Sequence, residues 1–163
     1  MGKVFKYLSL VKIMSRKQYS KSELRELMSK FSFLEKFIDK KSNVAREDEF
    51  LLIENKPLFF FKEDVLVPTL SVLLKGVNVL PMVVVDKGAI RFVVNGADVM
   101  RPGIIGCDEF SKGDYIVIVD ETYKKPLAVG QALLCSNDLL QAKEGKVIKN
   151  IHFVGDIIWE KCK

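Results

Sequence analysis

The residue types best suited to hold a ligand are gathered in one turn. Residues 94–104, VNGADVMRPGI, leave a strand-like run and place two glycines, a proline, a methionine and an arginine within eight positions. A bare connection between strands needs Gly or Asn at its sharp positions, but not an arginine set beside Pro102 and Gly103. A guanidinium aimed by such neighbours suits a phosphate or a base edge, because its planar fork offers several donors at once. A surface arginine without a ligand is the alternative. Lys112, Lys124 and Lys125 fall in turns beside strands and together with Arg101 make a basic rim. Taken singly, each is an ordinary solvated lysine.

No catalytic chemistry has comparable support. His152 is the sole histidine and no serine or cysteine motif accompanies it, so a packed, hydrogen-bonded core residue is expected rather than a base. Asp86, Asp98, Asp108, Asp114 and Asp120 each fall at a turn or strand end, where Asp is common for backbone reasons. There is no P-loop, dinucleotide fingerprint or zinc spacing, so no cofactor, metal ligand or catalytic residue is expected. Cys107, Cys135 and Cys162 are odd in number and far apart, which argues against a disulfide framework and for the cytoplasm.

Charge is distributed unevenly. Residues 1–79 carry 15 Lys/Arg against 10 Asp/Glu, and residues 80–163 carry 11 of each, so the net +5 lies in the first half. Lys3, Lys6, Lys12, Arg16, Lys17 and Lys21 all precede the first acid, Glu23. Such a single-sign segment attracts phosphates; Lys12, Arg16, Lys17 and Lys21 are its candidates for auxiliary RNA contacts, with a solvated terminus as the alternative. The opening lacks a signal-peptide pattern, and no run reaches the ~20 apolar residues of a membrane span.

Several elements can position these residues. Ser20 and Glu23 fit a capping box ahead of Leu24, Leu27, Met28, Phe31, Leu34 and Ile38, which predicts an amphipathic helix over 21–38 with an apolar face in the core. FLLIENKPLFFFK predicts two strands around Asn55–Pro57, and VPTLSVLLKG a short helix from Pro68 to Gly76. From Leu80 the pattern predicts strands: two runs around Asp86-Lys87-Gly88, then DYIVIVDE, KPLAVGQALLC, KVIKNIHFV and DIIW, with Trp159 facing the core beside Ile157. Helical material is expected only near 97–101 and 136–142. This describes a small β-barrel, joined near residues 76–82 to what precedes it.

KGAIRFVVNGADVMRPGI, followed by FSKGDYIVIV and PLAVGQALL, resembles the PUA domain, an RNA-binding pseudo-barrel whose G-A-x-x-M-x-P-G-I/V turn is matched by Gly96, Ala97, Met100, Pro102, Gly103 and Ile104. The glycines are expected to admit a ligand close to the backbone, Pro102 to stiffen the turn and Met100 to plug it into the barrel. PLFFFKEDVLVPTLSVLLK, LPMVVVDKGAIRFVV and VIKNIHFVGDIIWE extend the likeness to the malignant T-cell amplified sequence family, from about Leu51 to Trp159 and less closely before that. The fold implied is α+β, with an N-terminal α/β pre-PUA domain (1–79) and a C-terminal PUA pseudo-β-barrel (80–163).

The resemblance implies an RNA-binding translation factor that is not an enzyme. It would bind the small ribosomal subunit and tRNA in non-standard initiation, re-initiation or recycling, with no DNA or membrane partner. In eukaryotic members the pre-PUA domain also pairs with a density-regulated protein, so a protein partner at that domain is a further expectation. Two other classes stay open. One is an RNA-recruiting subunit of a tRNA- or rRNA-modifying enzyme. The other is an interaction module using Phe59, Phe60 and Phe61, which strand alternation cannot all point inward.

Overall fold

The computed structural model describes residues 15–163. The chain divides into two compact units, residues 1–56 and 57–163, so the expected joint at 76–82 lies inside the second.

In the first unit, Ser20 and Glu23 form the capping box: the Glu23 amide donates to Ser20 Oγ at 3.3 Å and the Ser20 amide to Glu23 Oε2 at 2.9 Å. Helix α1 (Lys21–Lys30) follows, but it stops short of residue 38. Phe31 leaves the helical region at φ −126°, ψ 78°, and a 3₁₀ turn (Ser32–Lys36) takes over. Ser29 and the Phe31-Ser32-Phe33 run are weak helix formers, so the apolar period outlasts the helix. None of α1 is buried, and the core face begins only at Leu34 and Ile38. Strands β1 (Arg16–Gln18), β2 (Val44–Glu47) and β3 (Phe50–Ile53) form an antiparallel meander.

Strand β4 (Lys56–Lys62), all but its first residue in the second unit, pairs antiparallel to β5 (Val65–Pro68). Phe59 and Phe60, neighbours on opposite faces, are both buried, so β4 is covered on both sides and offers no open row of phenylalanines. Pro68 closes β5 instead of opening a helix, and Thr69 precedes the four-residue α2 (Leu70–Leu73).

A six-stranded sheet follows, ordered β7-β11-β10-β9-β6-β8, with β6 and β9 parallel and the other pairs antiparallel. Its members are β6 (Met82–Val85), β7 (Val99–Met100), β8 (Ile104–Cys107), β9 (Tyr115–Asp120), β10 (Pro126–Ala132) and β11 (Lys146–Phe153). Strands β7 and β8 are the two edges, yet only residues 101–103 connect them. Laid flat, six strands would separate those edges by ~24 Å, whereas the chain from Met100 to Ile104 spans at most ~14 Å. The sheet therefore curls into the pseudo-barrel, around Val83, Val85, Ile116, Ile118, Ala128 and Ile148.

Two runs expected as strands are helices. Residues 87–93 form α3 (Lys87–Val93), with Asp86 as its N-cap accepting the Ala89 amide at 2.9 Å. Ala89, Ile90 and Val93 turn toward the core at helical spacing, which decides against the strand reading of this β-branched run. DIIW likewise becomes α5 (Ile157–Lys161), capped by Asp156 through the Trp159 amide at 2.7 Å. Trp159 thus lies on a helix. Residues 99–103 are β7 and a 3₁₀ turn rather than α-helix, while α4 (Ser136–Gln141) falls where helix was expected.

His152 is fully buried on β11. Its Nδ1 donates to the Asp156 carboxylate at 2.9 Å, its Nε2 accepts the Leu70 amide at 3.0 Å, and the Phe60 ring meets it edge-on. Burial pushes its pKa below the usual value, against the pull of Asp156. The neutral ring is thus a structural bridge between α2 and β11.

Candidate nucleic-acid interface

Strand β6 delivers the chain to Asp86, whose amide donates to the Gly103 carbonyl at 2.9 Å. The turn after β7 and the start of α3 are thereby locked side by side. A Cβ on Gly103 would lie 2.9 Å from Ala89 Cβ, so only glycine lets the helix rest against the turn. Gly96 takes φ +91°, and a Cβ there would stand 2.6 Å from the Phe153 ring. The close neighbour of each glycine is a side chain of this same domain.

Between α3 and the turn opens a cavity of about 630 Å³. Val93 and Val99 are its buried wall members, while Phe92, Met100 and Pro102 are exposed. Met100 is half exposed, at 50%, so it lines the mouth and does not plug the barrel. Asp98, also in the wall, accepts from Lys146 Nζ at 2.7 Å and from the Asn150 amide at 2.8 Å. The Lys146 hydrogen bond first, and the Asn150 amide after it, hold this carboxyl below its ordinary range against the effect of burial. Asn150 Nδ2 donates to the Val93 and Ala97 carbonyls at 3.0 Å each, fixing the end of α3 to the turn. An apolar seat with compensated carboxylates suits a weakly polar group.

Arg101 faces inward. Nε donates to the Leu139 carbonyl at 2.7 Å, Nη1 to that of Ile104 at 3.0 Å and Nη2 to that of Leu140 at 3.4 Å. The guanidinium ties the edge-joining turn to the end of α4. The basic residues meant to accompany it divide between two ends of the sheet: Lys112 precedes β9, while Lys124 and Lys125 follow it, ~20 Å away along six residues. Asp120 lies opposite Val85 and Ile104 opposite Val85 on the other side, which puts Lys124 and Lys125 at the end holding Asp86 and the 101–103 turn. Lys112 is at the far end.

Of the auxiliary basic residues, Lys12 lies outside the described residues. Arg16 donates to the Asn55 side chain, Lys17 forms an ion pair with Glu23 at 2.5 Å, and Lys21 is exposed on α1. The Lys17 hydrogen bond first, and after it those with the Ser20 amide and hydroxyl, pull the Glu23 pKa down to about 2. Among the described residues no group of His, Cys, Asp or Glu is arranged to hold a metal, and no helix is long and apolar enough to cross a membrane.

The PUA domain model matches residues 81–154. Translation machinery-associated protein 20 of Saccharomyces cerevisiae is 34% identical over 155 residues, covering 88% of this chain and 81% of that protein. The chain belongs to that family. An uncharacterized protein of Methanocaldococcus jannaschii is 44% identical over 155 residues, 88% of this chain and 96% of its own length. Malignant T-cell-amplified sequence 1 of Rattus norvegicus is 37% identical over 115 residues, 67% of this chain and 63% of that one. The crystal structure of a hypothetical protein from Pyrococcus horikoshii superimposes with a TM-score of 0.78 at 32% identity, covering 91% of this chain and all of that one.

The whole cavity wall falls within the PUA match of this family member. Phe92, 53% exposed, with the Arg91 guanidinium 4.7 Å from its ring centre, is the exposed aromatic of the cavity that sequence reasoning missed, together with Asp86, Gly88, Ala89, Val93, Asp98 and Val99. The signal was present as an Asp followed by apolar residues at helical spacing. Reading it as a strand turned Phe92 into one more member of an apolar run.

Proposed function

We propose that this protein is an RNA-binding factor of the translation machinery that engages the small ribosomal subunit and tRNA in non-standard initiation, re-initiation or recycling. The observation that carries the reading is the open apolar cavity inside the PUA-matched segment, bordered by Phe92 and Met100. The name of the yeast relative supports the link to translation.

Residues 80–163 act as the RNA-binding domain. The cavity seats an unstacked base, since single-stranded or splayed bases are recognised by stacking and by edge contacts rather than by groove reading. Lys87, Arg91, Lys124 and Lys125, exposed around the same end, supply phosphate contacts. Arg101 holds the turn in place. Residues 1–79 form the pre-PUA domain, which adds basic contacts from Arg16, Lys17 and Lys21 and offers a surface to a protein partner. The factor works in the cytoplasm without catalysis of its own.

Sedimentation of the native protein in a sucrose gradient, followed by RNA cross-link mapping, tests this. Co-migration with small subunits, with cross-links from the cavity rim, is expected. Co-purification with an RNA-modifying enzyme and no sedimentation with small subunits would replace the reading by the recruiting-subunit alternative.

A further inference from the structure

The loop between β9 and β10 holds an exposed aromatic in a fixed frame beside the cavity. Asp120, 7% exposed, accepts three amides: Thr122 at 2.8 Å and Tyr123 at 2.7 Å on Oδ1, and Lys125 at 2.8 Å on Oδ2. Lys124 sits at φ +54° with Nζ donating to the Glu121 carbonyl at 2.8 Å, and the Asp120 amide closes the loop on the Lys125 carbonyl at 3.2 Å. A loop this well bonded is not a loose connection. Its tip nevertheless leaves the Tyr123 side chain 85% exposed, followed in the chain by two lysines. Aromatic rings gain from burial, so a ring kept out by its own frame lacks a folding reason for being Tyr.

The loop is also tied to the cavity. Glu121 Oε1 accepts the amide of Lys87, the first residue of α3, at 3.2 Å, and Asp86, Gly88 and Ala89 on either side of Lys87 line the cavity. Strands β9 and β6 are neighbours ending at Asp120 and Val85, and Val85 pairs on its other side with Ile104 after the turn, so the end of β9 and the end of the turn lie roughly two strand spacings apart, ~10 Å.

We propose that Tyr123, Lys124 and Lys125 form a second single-stranded RNA contact: the Tyr123 ring stacks on a base adjacent to the one in the cavity, and the two ammonium groups take the phosphates between them. The inference rests on the RNA reading and adds to it a defined direction for the strand, from the cavity along α3's first residues to this loop. Stacking tolerates any base, so the contact sets strand path and affinity, not sequence.

Fluorescence anisotropy with a short, end-labelled, mixed-sequence single-stranded RNA tests it on the full chain. Tyr123→Ala should weaken binding by about five-fold to a hundred-fold, the range for loss of one stacked base, with an unchanged melting temperature. Tyr123→Phe should bind as the wild type does, because stacking needs the ring and not the hydroxyl. Tyr123→Trp should show RNA-dependent quenching beyond that of the native protein, whose sole tryptophan is Trp159. Binding by Tyr123→Ala equal to wild type, alongside loss in Phe92→Ala, would overturn this contact and leave the RNA reading standing. Equal weakening by Tyr123→Phe and Tyr123→Ala would overturn the stacking. No RNA binding by the wild type would remove both.

Discussion

The turn at 96–103 and helix α3 face each other across the cavity, and they divide the work in the opposite way from their sequences. The turn has the conspicuous residues, yet three of them are engaged within the fold, Gly96 against Phe153, Gly103 against Ala89 and Arg101 on three carbonyls, which leaves Met100 and Pro102 at the cavity mouth. Helix α3 reads as plain apolar sequence, yet it presents Phe92 and Arg91 to solvent beside the cavity. A conspicuous motif can therefore mark the joint that shapes a cavity, while exposed groups beside that cavity come from a plain-looking helix.

The most damaging change should be Gly96→Val. Valine must take a φ that β-branched residues avoid and must displace the Phe153 ring, which together cost about 3–5 kcal/mol. Against a typical net stability of about 5–15 kcal/mol, much of the domain should unfold, and a denaturant titration would show the midpoint shift. An unshifted midpoint would mean that the turn is not the joint described.

Arg101→Ala comes next. It leaves three carbonyls without their charged donor and should cost about 2–3 kcal/mol, with Arg101→Lys in between because an ammonium cannot span the fork. RNA affinity should fall only as far as the turn loosens. Full stability combined with a large loss of RNA binding would reverse the comparison and make Arg101 the ligand residue.

Those two positions also show what the sequence could reveal. The turn, the barrel strands and the capping box at Ser20 and Glu23 were legible because each rests on local spacing. The partners of Arg101 were not, since Leu139 and Leu140 are 38 and 39 residues away and the bonds run to backbone carbonyls that every residue has. Helices α3 and α5 were misread for a different reason: runs such as AIRFVV and DIIW have strand composition, and burial on one helical face overrides that preference once an Asp caps the first turn. The site's apolar side was therefore hidden by composition, and the role of its basic side by long-range bonding.

Phe92→Ala tests the helix side of the comparison. At 53% exposure its ring contributes little to the core, so stability should change by less than ~1 kcal/mol. RNA binding should fall roughly ten-fold, as expected for loss of one stacking surface. Anisotropy with single-stranded RNA measures the second effect and thermal melting the first. A stability loss as large as that of Arg101→Ala would place Phe92 in the fold with the turn.

The smallest effect should come from the basic residues of the first unit, and it should appear in salt dependence. Each phosphate neutralised on a single strand contributes a slope of about −0.7 in log affinity against log salt. Replacing Lys12, Arg16, Lys17 and Lys21 by Ser would change that slope by nearly four such increments if all four served RNA. Lys17 already holds Glu23 and Arg16 already holds Asn55, and giving up either bond offsets the gain from a phosphate. The slope should therefore fall by fewer than four increments, while the preference for unpaired RNA proposed for the cavity should stay as it was. A fragment of residues 57–163, the whole second unit, should show the same shallower slope with weaker binding, since its 13 basic and 13 acidic residues cancel. A fragment that keeps the full slope would assign all the electrostatic attraction to Lys87, Arg91, Lys124 and Lys125, and would leave the first unit's surface to a protein partner.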